Sequence, residues 1–318
     1  MRLYRFKLQP LAPWRTRWQA DTLAGMLCWA CARTGDLATL RDEILGPALQ
    51  GQPPFVLSDA CPGDFLPLPA AARLLDWPPH EARRLAHSHW IPQPAFQKFQ
   101  KTACLEPSDI PDTEPIKTSS SLHNTISRLT GTTGPEGSLF HLDDYHLAKG
   151  IGHLTIYARV RADFLDTLTI LFEELSARGF GADTSAGRGQ FRLLGGPEPA
   201  DDLDRAANGA DGLVVLSTFQ PGPQDPTDGF WQPFVKYGKL SPDFGLENVF
   251  KRPIVLFRPG ACFRTDQPPP FLGRAIPPRE LLSPHTVAAL ADRGVRPVHL
   301  AFGLAVPCRP GNIEGGNQ

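Results

Sequence analysis

Residues 153–195 read HLTIYARVR, ADFLDTLTILFEELSARG, FGADTSAGRG and QFRLLG in succession, and this stretch decides the fold. The first block is short, apolar and rich in β-branched residues, which predicts a strand. The second sets Phe164, Leu165, Leu168, Leu171, Phe172 and Leu175 three or four residues apart, the spacing of one apolar helix face. Gly179, Gly181, Gly187 and Gly189 then punctuate a loop, and QFRLLG returns as a strand.

Working outward, RLYRFKL at 2–8 alternates basic and apolar residues, a half-buried strand with one basic face. A turn rich in Pro, Trp and Arg follows (QPLAPWRTRWQ). Asp21-Thr22 then opens an apolar helix that ends near Thr34-Gly35, with Asp21 as its N-cap. A β-α opening and a later strand, helix and strand give the β-α-β-β-α-β order of a ferredoxin-like domain. On this reading residues 1–196 form the first domain, with 34–120 inserted in it. The insertion holds a second short helix at 36–49, a proline-broken extended stretch and the short helix HEARRLAHSH. Residues 101–121 are a polar exposed loop. SLHNTISRL and SLFHLDDYHL bracket TGTTGPEG as a hairpin-like excursion. The acidic, turn-rich 197–211 is a linker. Residues 212–310 form a strand-rich second domain with one helix, SPHTVAALADRG, and 311–318 are a flexible tail. The fold class is α+β.

The chain has 318 residues, 41% of them hydrophobic, and a formal net charge of −1, so its overall charge predicts no polyanion partner. The charge is unevenly spread. Residues 1–33 carry Arg2, Arg5, Lys7, Arg15, Arg17 and Arg33 against Asp21 alone, whereas 34–116 are acidic on balance. A basic strip on a neutral chain suits a local anion site. The 34 prolines predict many irregular connections. No apolar run is long enough to span a membrane, and MRLYRFKLQP has no signal-peptide core, so a cytoplasmic location is expected. Cys28 and Cys31 form a CxxC inside the apolar helix with no second pair, which favours buried helix cysteines over zinc.

Four segments carry chemistry. The loop 179–189 has backbone that can approach a ligand closely and one charge, Arg188; it is neither a P-loop nor a dinucleotide fingerprint. His123, Asn124 and Arg128 suit bases, sugar and phosphate. Lys236, Tyr237 and Lys239, with Lys251 and Arg252 beyond, interleave cations with an aromatic as single-stranded nucleic acid requires. His141, Asp143, Asp144 and His146, with His153 nearby, are residues that ligate metals, but nothing completes the set. No hydrolase, zincin or kinase motif is present, and neither a catalytic constellation nor a cofactor is expected.

Taken together, the strand ending in proline and ADTLAGMLCWA, FVLSDACPGDFLPLP, WIPQPAF, LHNTISRLTGTTGPEGSLF, GFGADTSAGRGQF and KYGKLSPDFGLENVFKRPIVLFRPGACF resemble the RAMP superfamily of CRISPR systems. Within it they resemble the Csm-four (Cas-five group) subunits of type III-A Csm effector complexes. The resemblance runs from about residue 2 to 308. It implies two ferredoxin-like (RRM-like) domains and a non-catalytic subunit that caps the repeat-derived 5′ tag of the crRNA. It implies docking to the large Cas-ten subunit and to a Csm-three-type backbone subunit. The RNA-binding residues it implies are Arg15, Arg17, Trp18, His123, Asn124, Arg128, Gly181, Gly187, Arg188, Gly189, Lys236, Tyr237 and Lys239. Other readings stay open: an endoribonuclease that processes precursor crRNA, with His123 beside Lys236 or Tyr237; the equivalent subunit of a type III-B or III-D complex; or a structural interaction protein.

Overall fold

The computed structural model describes all residues except 125, 127–129, 134–138, 206–208, 242–249 and 310–318. The predicted tail 311–318 and Arg128 lie outside the described residues.

The chain opens with strand β1 (Arg2–Pro10) and helix α1 (Ala20–Arg33). Asp21, read as an N-cap, instead sits inside the first helical turn, behind Gln19 at the cap position. A π-helical turn leads into the short α2 (Gly46–Leu49), then β2 (Phe55–Leu57), β3 (Cys61–Pro62) and β4 (Phe65–Pro67). After α3 (Pro79–His87), β5 (Trp90–Pro92) pairs with β4, and α4 (Gln93–Thr102) follows. The expected loop 101–121 runs into β6 (Ile116–Asn124), which pairs antiparallel with β7 (Leu139–Leu147) from Ile116↔Leu147 to Asn124↔Leu139. The excursion is therefore a ribbon whose paired strands extend roughly 30 Å.

Strand β8 (Leu154–Val160), helix α5 (Leu165–Arg178) and β9 (Phe191–Leu193) follow the pattern of the deciding stretch. Leu168, Leu171, Phe172 and Leu175 are the buried face of α5, and Gly179 ends it with φ +84. The main sheet runs β9, β1, β8, β2, all antiparallel, with β3 also on β8. Residues 34–120, read as an insertion, thus supply two of its strands. Every residue of β8 is buried because the sheet is covered on both faces. On one face Phe6 stacks on Phe172 of α5 at 4.6 Å.

At the β1 edge the basic strip meets acids. β10 (Glu198–Pro199) pairs with β1 and leads into α6 (Asp201–Arg205). Arg2 pairs with Asp201 at 2.8 Å, Arg5 with Asp202 at 2.6 Å and Lys7 with Glu198 at 3.1 Å. Arg159 reaches Asp204 and donates to the carbonyl of Ala305. The segment read as an acidic linker neutralises the strand read as an anion site.

The remaining chain forms a second sheet. Its strands are β11 (Gly212–Val215), β12 (Gly229–Phe230), β15 (Cys262–Arg264), β16 (Phe271–Ile276) and β17 (His299–Cys308), in the order β12, β15, β11, β17, β16. β13 (Pro233–Lys236) and β14 (Ile254–Phe257) make a separate two-stranded ribbon, and α7 (Pro278–Leu281) and α8 (Pro284–Ala291) join β16 to β17. One apolar core runs through both sheets, including Phe6, Ile156 and Phe172 from the first and Leu216, Phe302 and Leu304 from the second. The seam is stitched by hydrogen bonds: Ser217 Oγ donates to Leu57 O at 2.6 Å and accepts from Leu304 N at 2.8 Å. Buried Asp59 accepts from Ala20 N at 2.8 Å and from Thr218 N and Oγ1 at 2.7 Å.

Candidate nucleic-acid interface

Three elements converge at the root of the β6–β7 ribbon. Trp14 and Tyr145 exchange backbone hydrogen bonds at 3.0 and 2.7 Å, pinning the ribbon to the turn after β1. The glycine loop closes on that turn from the other side, with Phe180 N to Gly189 O at 2.8 Å and Gly189 N to Pro13 O at 2.9 Å. A Cβ at Gly189 would lie 1.9 Å from Phe180 O, and one at Gly181 would lie 2.5 Å from Thr16, so both glycines permit protein contacts. At Gly187 the same position is open. The loop therefore packs on the turn through Gly181 and Gly189 and faces open space at Gly187.

The charges at this junction are paired. Arg15 Nε lies 2.9 Å from Asp144 Oδ1, and its guanidinium also pairs with Asp183. Arg188 takes the other oxygen of Asp144 at 2.9 Å. The hydrogen bonds it donates to Asp144 and Asp183 raise the Arg15 pKa further above its ordinary value. His123 Nε2 sits 2.9 Å from Ser121 Oγ and 3.4 Å from Arg15, and its ring stacks on Phe140. Two arginines and two aspartates cancel, so no net positive charge is left for a phosphate here.

Beside the junction lies a cavity of about 330 Å³. Its walls come from the turn after β1, from β5, from the ribbon root and from the β13–β14 ribbon: Trp14, Arg17, Trp90, Tyr145, Phe234 and Arg258. Arg17 leans on the Tyr145 ring at 5.5 Å, and Arg258 lies over the Phe234 ring at 4.8 Å. Among the described residues neither guanidinium has a carboxylate partner. Arg73, also in the wall, is spent on the carbonyls of Leu85 and Ser88.

No protein-family model and no curated protein sequence matches this chain. Solved structures do. A chain of the crystal structure of the Csm1-Csm4 cassette in complex with cA4 superposes with a TM-score of 0.62 at 15% identity, over 96% of this chain and 98% of that one. A chain of the same cassette in complex with pppApA gives 0.61 at 17% identity, over 97% and 98%. A chain of the Csm3-Csm4 subcomplex in the type III-A CRISPR-Cas interference complex gives 0.61 at 11% identity, over 96% and 100%. Csm4 is the subunit named in both assemblies. The fold is of the Csm type.

Within this Csm-type fold the residues nominated from sequence separate into groups. Arg15 and Arg188 meet on Asp144 at the ribbon root and His123 reaches Arg15 from the outer part of β6, with Gly181 and Gly189 as packing hinges and Asn124 exposed at the end of that strand. Trp18 does not offer a ring for stacking on a base: it is buried, lies on Phe180 at 3.9 Å and meets Phe191 edge-on. Lys236 is not free for phosphate either. Its Nζ lies 2.8 Å from both oxygens of Asp21 and from Gln19 Oε1 and Thr22 Oγ1, with His299 Nε2 3.0 Å from Asp21. Burial alone would raise the Asp21 pKa, but the His299 hydrogen bond and the Lys236 charge hold it well below the carboxylate range. Tyr237 is exposed, and Lys239 lies over the Phe250 ring at 4.7 Å. His141 and Asp143 alternate with Asp144 and His146 across β7, so strand geometry splits the four residues between two faces. Cys31 is buried in α1 and Cys28 half-buried, and both are free thiols. Sequence reasoning missed Trp90, Phe234 and Arg258, whose only signal was an arginine or aromatic beside a strand-breaking proline (WIP, QPF, FRP).

Proposed function

We propose that this chain is a guide-RNA-binding subunit of a type III-A CRISPR effector complex. It caps the repeat-derived 5′ tag of the crRNA and bridges the large Cas-ten subunit to a Csm-three-type backbone subunit. The observation that carries this reading is the near end-to-end likeness to chains of two assemblies that have Csm4 in common. Arg17, Asn124, Tyr237 and Lys239 are exposed and of the types that hold single-stranded RNA. No helix of the described residues is long and apolar enough to cross a membrane, which accords with assembly on RNA in the cytoplasm.

We take the subunit to be non-catalytic. His123 has Ser121, Arg15 and Phe140 as ring neighbours, while Lys236 is committed to Asp21. General acid-base cleavage needs a positioned pair. Metal-free incubation with a repeat hairpin is expected to leave it intact. A clean single-site cut lost in His123→Ala would reverse that assignment.

The main test is co-expression with the large subunit, the backbone subunit and a repeat-spacer transcript. Assembly should yield RNA with one uniform tagged 5′ end, and scrambling the tag should weaken its retention. Equal retention of scrambled and native tags would sink the proposal.

A further inference from the structure

The cavity beside the ribbon root carries a more specific assignment, one that rests on the guide-RNA reading. Its volume, about 330 Å³, falls at the small end of the range of small-ligand pockets, roughly 300–1,000 Å³, so it suits one occupant of nucleoside size. Its walls are aromatic: Trp90, Tyr145 and Phe234 are half-buried, each with part of its ring covered by protein and part accessible. Base–aromatic stacking tolerates any base, because every base has a π-face. Arg17 and Arg258 are exposed cations on opposite elements, each resting on one of these rings. Arg17 Nε donates to Tyr145 Oη at 3.4 Å, and the terminal N–H groups of an arginine laid on a ring stay free to bind phosphate. The two acids in the lining are already engaged. Asp59 accepts from Thr218 and Ala20, and Glu114 accepts from His89 N at 3.0 Å with the His89 ring 3.6 Å away.

We infer that this cavity is a nucleotide pocket: it takes one unstacked base against Trp90, Tyr145 and Phe234 while Arg17 and Arg258 hold the adjoining phosphate. The occupant is a nucleotide unit, supplied either by the RNA strand or as a free mononucleotide. The glycine-loop junction, with its charges cancelled, would then serve as the wall that fixes Arg17 and Tyr145 in place.

The test is equilibrium binding to the full chain of a fluorescent single-stranded RNA carrying the tag, with an abasic nucleotide walked through it. The four 5′-mononucleotides serve as separate probes. The variants are Arg17→Ala, Arg258→Ala and Thr118→Trp; the last grows from an exposed strand residue in the cavity lining and fills the cavity without touching the core. Each should weaken binding roughly tenfold, and each arginine variant should lower the salt slope by about one. An abasic unit should cost roughly tenfold at one position in the wild type and nothing further in Thr118→Trp. Mononucleotide binding lost in the same variants, with RNA binding unaffected, would support the pocket and name a free nucleotide as its occupant. If the wild type binds the tagged RNA and all three variants match it for RNA and mononucleotides alike, the pocket is overturned and the guide reading stands. A wild type that binds neither probe would overturn both.

Discussion

Arg15 and Arg17 leave the same turn and meet opposite surroundings. Arg15 runs under the ribbon root and is held by Asp144 and Asp183. Arg17 stays at the surface beside the Tyr145 ring with no carboxylate partner among the described residues. The same division separates the β1 strip, answered by Glu198, Asp201 and Asp202, from Arg258 over Phe234. A basic residue therefore marks an anion site only when the fold has left its charge unanswered. For Arg15 and the β1 strip the answering acids come from segments more than a hundred residues away.

The sharpest way to break the comparison is at the loop that closes the junction. Gly189→Ala puts a methyl on a carbonyl at a positive φ and should cost about 4 kcal/mol of stability. Chemical denaturation with an unchanged midpoint would show that the loop does not lock the turn. Asp144→Ala comes next: it takes the carboxylate from Arg188, leaves Arg15 with Asp183 alone and should cost about 2 kcal/mol. Increased RNA affinity in that variant would reveal the freed charge, whereas wild-type stability would mean the pairs are incidental.

The acid side of the comparison is tested by pH. Asp144 faces two arginines, but Asp59, in the cavity wall, has only neutral donors, and burial raises its pKa to about 6. A raised carboxyl favours the fold while protonated, so its contribution is complete below its unfolded pKa of about 3.9 and is lost as pH rises through about 6. Asp59→Asn keeps an acceptor for both backbone N–H groups. It should gain roughly 2–3 kcal/mol on the wild type between about pH 4 and pH 7. A pH-independent difference between the two proteins would refute the raised pKa. The smallest effect is expected at the surface: Arg17→Ala and Arg258→Ala should each shift stability by about 0.5 kcal/mol or less. A larger shift in the melting curve would make them structural residues.

The deciding stretch was legible because its signals are local: β8, α5 and β9 follow from apolar spacing and glycine placement. The ribbon was readable from its central TGTTGPEG, though the polar start of β6 concealed its length. Trp18 was nominated by the resemblance and Lys236 by side-chain type as well. Neither the Phe180 ring over Trp18 nor Asp21 beside Lys236 has a trace in the adjacent sequence. The cavity could not be read at all, because its walls come from segments scattered between Trp14 and Ala261 and brought together by tertiary packing.

The seam through Asp59, Ser217 and Arg159 bears on how that cavity works. Walls taken from early and late segments of the chain are joined across a shared core, so the cavity behaves as a fixed gauge rather than a pair of jaws. What enters is sorted by thickness and shape at the moment of contact. Little free energy is spent on closing around it, and release should need no hinge to swing.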